Sequence, residues 1–344
     1  MKSLQIGPLS IGNKARPLVV AEAGINHNGD IELAKQLIRE AKRAGADIVK
    51  FQTHMADAEM LPDRVDAGSH VTKSLYEIMQ QCGLSKEAHL ELKAECENQR
   101  ILFLSTPFSF EAVDLLEDIG VPAYKVGSGE VTNLPFLRYI AEKRKPIILS
   151  TGTGTLDDVG RAVETIKSVH SELVLMQCTS NYPTAFKDVN LGVLDVMRER
   201  FGTLVGLSDH CRGNYACFGA IAKGGCLVEK HFTISRRLPG VDQSSSIEPQ
   251  ELSDLVEGVR SVWEALGSTK NLNEEARKVR DGFSESIVTT APVKRGDQFI
   301  ERTNIWIKRP GIGIPSYELP NVLGKKASRD LPANHLLRRE DILS

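Results

Sequence analysis

The sequence predicts an α/β protein: a closed barrel of eight parallel strands, followed by a smaller, mostly β domain. Two observations lead to this fold class. Eight short β-branched runs alternate with amphipathic helical stretches, and the pattern changes character after residue 283. Strands that alternate with helices need crossover connections, which join parallel strands. Eight such units in about 250 residues are the number that closes a (β/α)8 TIM barrel.

Each predicted strand is a short run rich in Val, Ile and Leu. The stretch Ile31–Ala46 shows what lies between strands, with apolar residues at helical spacing and Gly45 near its end. An open doubly wound sheet is the alternative, but the first strand lacks the glycine fingerprint of a dinucleotide-binding turn. The predicted strands are Val19–Ile25, Asp47–Thr53, Leu102–Thr106, Ala123–Ser128, Ile147–Gly152, Leu173–Ser180, Val205–His210 and Cys226–Thr233.

Changes in composition along the chain predict its domains. We expect a barrel over residues 1–266 with a short N-terminal extension, a polar linker over 267–283 and a small domain over 284–344. Residues 55–83 carry few strand signals and are interpreted as a long loop over the top of the barrel. The small domain contains strand-like runs at 286–293, 304–309 and 336–342, and its size predicts that it docks on a barrel.

The composition excludes several classes of protein. The 344 residues are 41% hydrophobic and 26% charged, which is globular composition, and the net charge of −2 excludes the positive field of a nucleic-acid-binding protein. No apolar run approaches the roughly 20 residues of a membrane helix, and the first residues lack the core of a signal peptide. The six cysteines form no CxxC pair, so we expect buried, reduced thiols in a cytoplasmic protein.

Polar residues concentrate where the predicted strands end, which is the end of such a barrel that carries active sites. His210 and His231 end the seventh and eighth strands. Two imidazoles on neighbouring strands can share one divalent ion and leave positions open for water or substrate. An exchangeable ion such as Mn²⁺ suits this pair, with Mg²⁺ or Co²⁺ as alternatives. The competing interpretation is a pair of hydrogen-bonded histidines at the rim.

Two lysines and several hydroxyls at the strand ends predict an anion site. Lys50 and Lys125 supply ammonium groups that suit a phosphate and a carboxylate. The alternatives are lysines paired with a neighbouring glutamate, or a lysine acting as a Schiff-base nucleophile. The hydroxyls grouped with these lysines belong to Ser105, Thr106, Ser128, Ser150 and Ser208.

Two carboxylates and three hydrogen-bonding groups complete the predicted site. Glu22 and Glu130 are candidates to orient a water or move a proton, and ion pairing with the lysines is the alternative. Gln52, Tyr182 and Asp242 offer hydrogen bonds of the kind that a sugar needs, although each is equally expected as a surface or packing residue.

Nine motifs in order resemble the bacterial sialic acid (N-acetylneuraminate) synthase family over nearly the whole chain. They are AEAGINHNGD, VKFQTH, STPFS, YKVGSGE, ILSTG, QCTSNYP, GLSDH, EKHFT and NIWIKRPGIG. The resemblance implies a (β/α)8 barrel joined to a C-terminal antifreeze-like (SAF) domain. It also implies a metal-dependent condensation of phosphoenolpyruvate with N-acetylmannosamine that yields N-acetylneuraminic acid and releases phosphate by C–O cleavage. The resemblance implies a domain-swapped homodimer as well, whereas it is the net charge and the lack of long apolar runs that lead us to expect no nucleic acid or membrane as partner.

Carried residue by residue, the resemblance implies a role for each candidate. Glu22 and Glu130 match acidic residues at the reaction centre, and His210 and His231 match the metal ligands. Arg309 matches an arginine that reaches across the dimer to the acyl group of the sugar. The implied phosphoenolpyruvate contacts are Lys50, Thr106, Lys125, Ser128, Ser150 and Ser208, and the implied sugar contacts are Gln52, Tyr182 and Asp242.

Departures from the family pattern concern the acceptor sugar more than the chemistry. Gln243 stands where many relatives have His, Thr153 where the family usually has Met, and His70 near a position that is Asn in some relatives. The nearest rival is therefore a legionaminic or pseudaminic acid synthase that uses a 2,4-diacetamido-2,4,6-trideoxyhexose. More distant rivals are a Schiff-base aldolase and an ice- or carbohydrate-binding role for the last domain, which its many lysines and arginines disfavour.

Overall fold

A computed structural model describes residues 3–12, 15–62 and 74–343. The chain divides into two compact units, Met1–Gly267 and Ser268–Ser344. Within the described residues, no helix is both long and apolar enough to cross a membrane. All six cysteines are buried, as predicted.

The first unit contains an eight-stranded parallel sheet, and all eight predicted strands are present. The strands are β3 (Leu18–Gly24), β4 (Ile48–Thr53), β5 (Leu102–Pro107), β6 (Tyr124–Val126), β7 (Ile147–Ser150), β8 (Leu173–Cys178), β9 (Leu204–Asp209) and β10 (Leu227–His231). Their order in the sheet is β5-β4-β3-β10-β9-β8-β7-β6, and β5 contacts β6, so the sheet curls into a nearly closed barrel. The predicted fold class is therefore confirmed.

Helices surround the barrel and bury their apolar faces against the strands. The Asp30 carboxylate caps α1 by accepting from the amides of Glu32 and Leu33, and Gly120 ends α5 in the left-handed conformation. The helices are α1 (Ile31–Arg43), α2 (Ala56–Glu59), α3 (Leu75–Cys82), α4 (Lys86–Gln99), α5 (Phe110–Ile119), α6 (Leu134–Glu142), α7 (Leu156–Lys167), α8 (Val193–Phe201), α9 (Tyr215–Ala222) and α10 (Pro249–Ala265).

An N-terminal hairpin closes the amino end of the barrel. Its strands are β1 (Ser3–Ile6) and β2 (Leu9–Gly12), which pair antiparallel. Side chains of the hairpin, including Ile6 and Ile11, pack in one cluster with Leu18 and Ile48, which begin barrel strands. The sequence predicted only a short extension here. The finding leaves the carboxyl end as the end of the barrel at which a cavity can open.

The predicted long loop over residues 55–83 contains two short helices among its described residues. They are α2 and α3, and α3 begins with a capping box in which Ser74 and Glu77 bond each other's backbone amides. His70 lies outside the described residues. The segment is thus partly helical where the sequence predicted irregular structure, because four- and eight-residue helices are too short to show a periodic pattern.

The second unit is small and has its own apolar core. Its strands β11 (Ser286–Thr289) and β12 (Ile305–Lys308) pair antiparallel, and its core includes Ile287, Phe299 and Ile305. Part of the predicted linker forms α11 (Glu274–Phe283), and α12 spans Leu319–Val322. The predicted strand-like run at 336–342 instead contains a single 3₁₀ turn, Arg339–Asp341.

Candidate active site

The register of the barrel strands places the predicted site residues side by side at the carboxyl end. Glu22 on β3 pairs with Lys50 on β4 and with His231 on β10. The register shifts between Glu22 and Gly24, where Gly24 has φ +51°. A Cβ at Gly24 would lie 3.3 Å from both Gln52 Nε2 and Glu22 Oε1. The glycine bulge therefore permits these polar groups to converge.

An inner cavity of about 220 Å³ opens among the strand ends. It brings together every phosphoenolpyruvate contact that the sequence predicted, and both predicted metal ligands. Glu22, Gln52 and Tyr182 also reach its wall. The predicted residues that line this inner cavity are Glu22, Lys50, Gln52, Thr106, Lys125, Ser128, Ser150, Tyr182, Ser208, His210 and His231.

Both lysines are buried and paired with carboxylates. Lys50 Nζ lies 2.7 Å from Glu22 Oε2. Glu229 Oε1 lies 3.6 Å from both Lys50 Nζ and Lys125 Nζ. Because two ammonium groups face two carboxylates, the cluster is close to neutral by itself. The sequence-based alternative of lysine–glutamate pairing is thus present within the predicted anion site.

Burial and pairing shift the pKa values of these groups in opposite directions. Burial lowers the pKa of Lys125, and the attraction of Glu229 offsets this only in part. Burial would also lower the pKa of Lys50, but Glu22 and Glu229 outweigh it and the pKa is raised. Burial acts to raise the pKa of Glu229, yet the two ammonium groups outweigh it and the pKa is lowered. Glu229 is therefore ionised at neutral pH.

Hydroxyl groups form hydrogen bonds with both lysines and with the loop that follows β7. Lys50 donates to Thr106 Oγ1 at 3.0 Å, and Lys125 donates to Ser150 Oγ at 2.7 Å. The Ser128 hydroxyl accepts from the amide of Gly152 at 2.9 Å. These contacts fix the donors around the inner cavity before any ligand binds. A preformed set of donors loses little free energy to reorganisation when an anion arrives.

Ser105 does not belong to this donor cluster, contrary to the prediction. Its hydroxyl lies 2.7 Å from Thr53 Oγ1, which in turn lies 3.0 Å from His89 Nε2 of α4. Alternate residues of a strand point to opposite faces. Since Thr106 points into the barrel, its neighbour Ser105 points to the helix layer.

His210 and His231 are close neighbours at the wall of the inner cavity, with ring centroids 5.4 Å apart. His210 Nδ1 lies 2.9 Å from the carbonyl oxygen of Thr179. A carbonyl only accepts, so Nδ1 of His210 carries a proton, and in the neutral imidazole Nε2 keeps a lone pair. Burial acts to lower the pKa of His210, but the contact with Cys178 outweighs it and the pKa is raised, so a metal ion would have to displace a proton from Nε2 of the charged form. Buried His231 Nδ1 has no hydrogen-bond partner among the described residues, and Asp242 Oδ2 lies 3.7 Å away.

This pair fits an open divalent-metal site. Burial lowers the pKa of His231 despite the nearby carboxylate of Asp242, which favours the neutral, ligating form of its imidazole. Across the described residues, no group of three or more His, Cys, Asp or Glu side chains is arranged to hold an ion. Any ion here would need further ligands from water or substrate, and a bound Mn²⁺ stays a prediction.

An outer cavity of about 780 Å³ adjoins the inner one. Gln52, Phe108, Tyr182 and His231 line both. The predicted sugar contact Asp242 and the predicted acid–base residue Glu130 line the outer cavity only. Five aliphatic side chains form much of the rest of its wall: Ile25, Met60, Leu75, Met79 and Val241.

The two predicted acid–base glutamates differ in environment. Glu22 is engaged on both oxygens, because Oε2 pairs with Lys50 and Oε1 accepts from Gln52 Nε2 at 2.8 Å. Glu130 is half-buried and accepts from Asn133 Nδ2 at 2.8 Å. Burial raises the pKa of Glu130, and the charge of Glu59 adds to the rise. Glu130 is therefore, of the two, the carboxyl better suited to take up and return a proton.

Three further positions singled out in the sequence lie in three different places. Arg309 belongs to the second unit, where it is exposed after β12 and its guanidinium lies 5.5 Å from the Phe283 ring centroid. Gln243 is buried, accepting from Thr233 Oγ1 and donating to the carbonyl of Asn26. Its departure from the family pattern is therefore accommodated in the protein interior. Thr153 lines the inner cavity and donates to the carbonyl of Ser128.

Among the described residues that line the two cavities, four with ionisable side chains had no role assigned from the sequence. Glu229 stood among the polar strand ends, and strand register alone reveals that it lies between the lysines. Cys178 lines the inner cavity, with its sulfur 3.9 Å from His210 Nδ1. His54 and Glu59 line the outer cavity and contact each other. The sequence signal that could have pointed to Glu229 was a charged residue within the apolar run of the eighth predicted strand, near its end.

Comparison with known proteins supports the assignment that the motifs implied for each of the two units. Residues 37–271 match the NeuB family and residues 284–343 match the SAF domain. The chain is 37% identical to the N,N'-diacetyllegionaminic acid synthase of Campylobacter jejuni, an alignment that covers 94% of this chain and 99% of that protein. It is 35% identical to a pseudaminic acid synthase of the same organism, covering 98% and 99%.

A solved structure shares the fold. It is the N-acetylneuraminic acid (sialic acid) synthetase of Leptospira borgpetersenii, which is 30% identical, superposes with a TM-score of 0.73 and covers 81% of this chain and 95% of that chain. The resemblance that the nine motifs carried is therefore confirmed. The chain belongs to the NeuB family, and it is a phosphoenolpyruvate-dependent sugar-acid synthase.

Proposed function

We propose that the protein condenses phosphoenolpyruvate with N-acetylmannosamine to give N-acetylneuraminic acid and phosphate. The observation that carries the proposal is the pair of adjoining cavities. The inner one presents two lysines and several hydroxyls, as a phosphate and a carboxylate require. The outer one presents Gln52, Tyr182, Asp242 and hydroxyls of Ser244 and Ser245, which suit a sugar. Carbon–carbon bond formation would take place where they meet, beside His231.

In this proposal Lys50 and Lys125 bind the anionic groups of phosphoenolpyruvate. Ser128, Ser150, Thr106 and Ser208 orient them. His210 and His231 would hold a divalent ion, which when bound supplies Lewis-acid polarisation of a carbonyl group and adds positive charge to a nearly neutral cluster. We prefer Mn²⁺ for this site.

Glu130 is our choice for the residue that handles the proton of the attacking water. Its raised pKa and its one side-chain partner among the described residues leave it able to take up and return a proton, whereas Glu22 is held by Lys50 and Gln52. Water would add to C2 and phosphate would leave by C–O cleavage, so that the water oxygen stays at C2. Oxygen from labelled water found in the released phosphate would contradict C–O cleavage.

A second candidate acceptor is a 2,4-diacetamido-2,4,6-trideoxyhexose. Two observations favour it: the 37% identity to a diacetyllegionaminic acid synthase and the aliphatic wall of the outer cavity. Met60, Leu75 and Met79 could pack on the methyl groups of this sugar.

The acceptor test measures phosphate release with each sugar at saturating phosphoenolpyruvate. We expect the highest kcat/KM with N-acetylmannosamine. A higher value with a diacetamido trideoxy sugar would reverse the ranking, and no product with any of these sugars would reject both candidates. Mass spectrometry of the product checks that a nine-carbon acid forms.

Metal removal tests the roles of His210 and His231. Exhaustive EDTA treatment should abolish activity, and Mn²⁺ should restore it. Titration of the chelated protein with Mn²⁺, followed by electron paramagnetic resonance, should show one site that His231→Ala loses. Full activity after chelation would remove the metal from the proposal. It would favour a Schiff-base rival, for which the lowered pKa of Lys125 is the supporting observation. That rival also predicts trapping by borohydride.

A further inference from the structure

A chain of polar contacts links helix α2 to the reaction centre. The Glu59 carboxylate lies 3.0 and 3.1 Å from His54 Nδ1. His54 Nε2 lies 2.9 Å from Gln52 Oε1, and Gln52 Nε2 donates to Glu22 Oε1 at 2.8 Å. The last contact of the series is the ion pair between Glu22 and Lys50. His54 has no role in the chemistry described above, and Glu59 enters it only through its charge, which adds to the raised pKa of Glu130.

The chemistry of the partners decides which way the Gln52 amide faces. The Glu22 carboxylate forms an ion pair with Lys50 and as such can only accept, so it requires the amide nitrogen of Gln52. The amide oxygen then faces His54, whose Nε2 must donate. His54 Nδ1 is left to share a proton with the Glu59 carboxylate. Each of these side chains thus has one arrangement: Glu22 sets the direction of the Gln52 amide, and His54, held by Glu59, binds the amide oxygen.

Burial and packing hold this arrangement in place. The side chains of His54 and Glu59 are 5% and 3% exposed. The His54 ring stacks on Phe108, with centroids 4.4 Å apart and an angle of 11° between the rings. Phe108 and Gln52 line both cavities. The pair therefore lies in the wall of the outer cavity, beside the residues where an acceptor sugar would meet phosphoenolpyruvate.

We propose that Glu59 and His54 are positioning residues for the acceptor sugar, which act by fixing the Gln52 amide. With its oxygen engaged by His54 and one N–H by Glu22, Gln52 has its second N–H available for a hydroxyl or carbonyl oxygen of the acceptor. This inference rests on the proposed function, because it deepens the role of Gln52 there. It predicts that substituting Glu59 or His54 weakens binding of the acceptor sugar and leaves binding of phosphoenolpyruvate unchanged.

The test uses Glu59→Ala in the full-length protein, with KM measured separately for each substrate. The wild type's preferred sugar serves as acceptor. We expect the acceptor KM to rise about tenfold and the phosphoenolpyruvate KM to stay within about twofold. Glu59→Gln, which still offers an acceptor to His54, should recover part of the loss. A merely structural role would raise both KM values or neither, and either result would overturn the proposal.

Asp57→Ala is the matched control. Asp57 lies on the same short helix, is exposed and accepts from the Tyr76 hydroxyl, so its removal changes the charge of α2 without touching the chain of contacts. The KM of this variant for the acceptor sugar should match that of the wild type. A rise in this KM equal to that in Glu59→Ala would contradict the proposal. If Glu59→Ala does not fold, His54→Gln against His54→Leu makes the same comparison, because only glutamine can donate to Gln52.

A readout that does not need activity separates this inference from the proposed function. In a crystal structure of Glu59→Ala, the Gln52 amide should leave Glu22 or lose its single orientation. An unchanged Gln52–Glu22 hydrogen bond would reject the positioning role even if the enzyme condenses the expected substrates. A displaced amide would support it even if the acceptor is another sugar.

Discussion

Buried charges in this barrel come in matched pairs. Besides the lysines of the inner cavity, Lys230 donates to Asp209 Oδ2 at 2.6 Å, and both side chains are 1% exposed. Lys230 also donates to the carbonyl of Cys211 at 2.7 Å. Each of these two residues is next in sequence to a predicted metal ligand, His231 or His210. The pair therefore holds the ends of β9 and β10 together where those ligands begin.

The Lys230–Asp209 pair provides a prediction on stability. Lys230→Met should lower the free energy of unfolding by about 3–5 kcal/mol, because it leaves the Asp209 carboxylate buried without its counter-charge. The double variant Asp209→Leu/Lys230→Met should lose less than the single one. Urea unfolding in a Trp306→Phe background measures this, since the other tryptophan, Trp263, then reports on the barrel unit alone.

Lys86 and Asp118 provide the control for this experiment. They form an ion pair at 2.8 Å, but their side chains are 44% and 65% exposed. Lys86→Met should change the free energy of unfolding by only about 0–1 kcal/mol. A loss in Lys230→Met no larger than in Lys86→Met would show that burial does not decide the strength of the interaction.

The loop after β7 shows how one backbone position controls a binding element. A Cβ at Gly152 would lie 2.5 Å from Ser180 Oγ, 2.8 Å from Cys178 Sγ and 2.9 Å from Ser128 Oγ. These distances are too short for any side chain, and Ser128 is the hydroxyl that accepts from the Gly152 amide. The loop can therefore approach β6 and β8 only with glycine at this position.

Gly152→Ala should displace Ser128 and raise the KM for phosphoenolpyruvate by at least about tenfold, with a smaller effect on the acceptor KM. Initial rates with each substrate varied in turn measure this. Gly192→Ala is the control, because a Cβ at Gly192 meets nothing within 4 Å. Equal kinetics for Gly152→Ala and the wild type would mean that Ser128 does not bind phosphoenolpyruvate.

Strand elements were predictable from sequence because their signal is local. All eight apolar runs are strands, since a buried parallel strand is a continuous apolar run wherever it occurs. The ends were less predictable. Predicted strand Ala123–Ser128 ends at Val126, because Ser128 already begins a 3₁₀ turn. Ser105 was predicted to point into the barrel but points to the helix layer, because successive residues of a strand alternate between its two faces and the sequence did not show which face came first.

At the scale of the whole molecule, the second unit and Arg309 raise the question of assembly. We propose a homodimer in which Arg309 of one subunit serves the site of the other. Arg309 is exposed on its own unit and contacts Phe283 there. An exposed arginine suits recognition of an acyl carbonyl, because its guanidinium group presents several N–H donors that a carbonyl oxygen can accept from.

Arg309→Ala should raise the acceptor KM and leave the phosphoenolpyruvate KM unchanged, with Lys308→Ala as the neighbouring control. Light scattering should give the mass of a dimer. Mixing Arg309→Ala with Lys125→Met subunits should recover activity, since one site of each mixed dimer would have both residues intact. A monomeric mass, or no recovery after proven subunit exchange, would contradict the shared site.

By itself the sequence determined the barrel, the family and the residue types at the strand ends, because apolar periodicity and contiguous motifs are properties of the chain read in order. Only the tertiary structure decided which of those residues meet. Strand register places Glu229 between Lys50 and Lys125, and the chain of contacts from Glu59 to Glu22 joins a helix outside the barrel to a strand within it. The contacts of Glu229 depend on the curling of the sheet, which brings together strands that are far apart in sequence, and the contact of Gln52 with Glu22 depends on the pairing of two neighbouring strands.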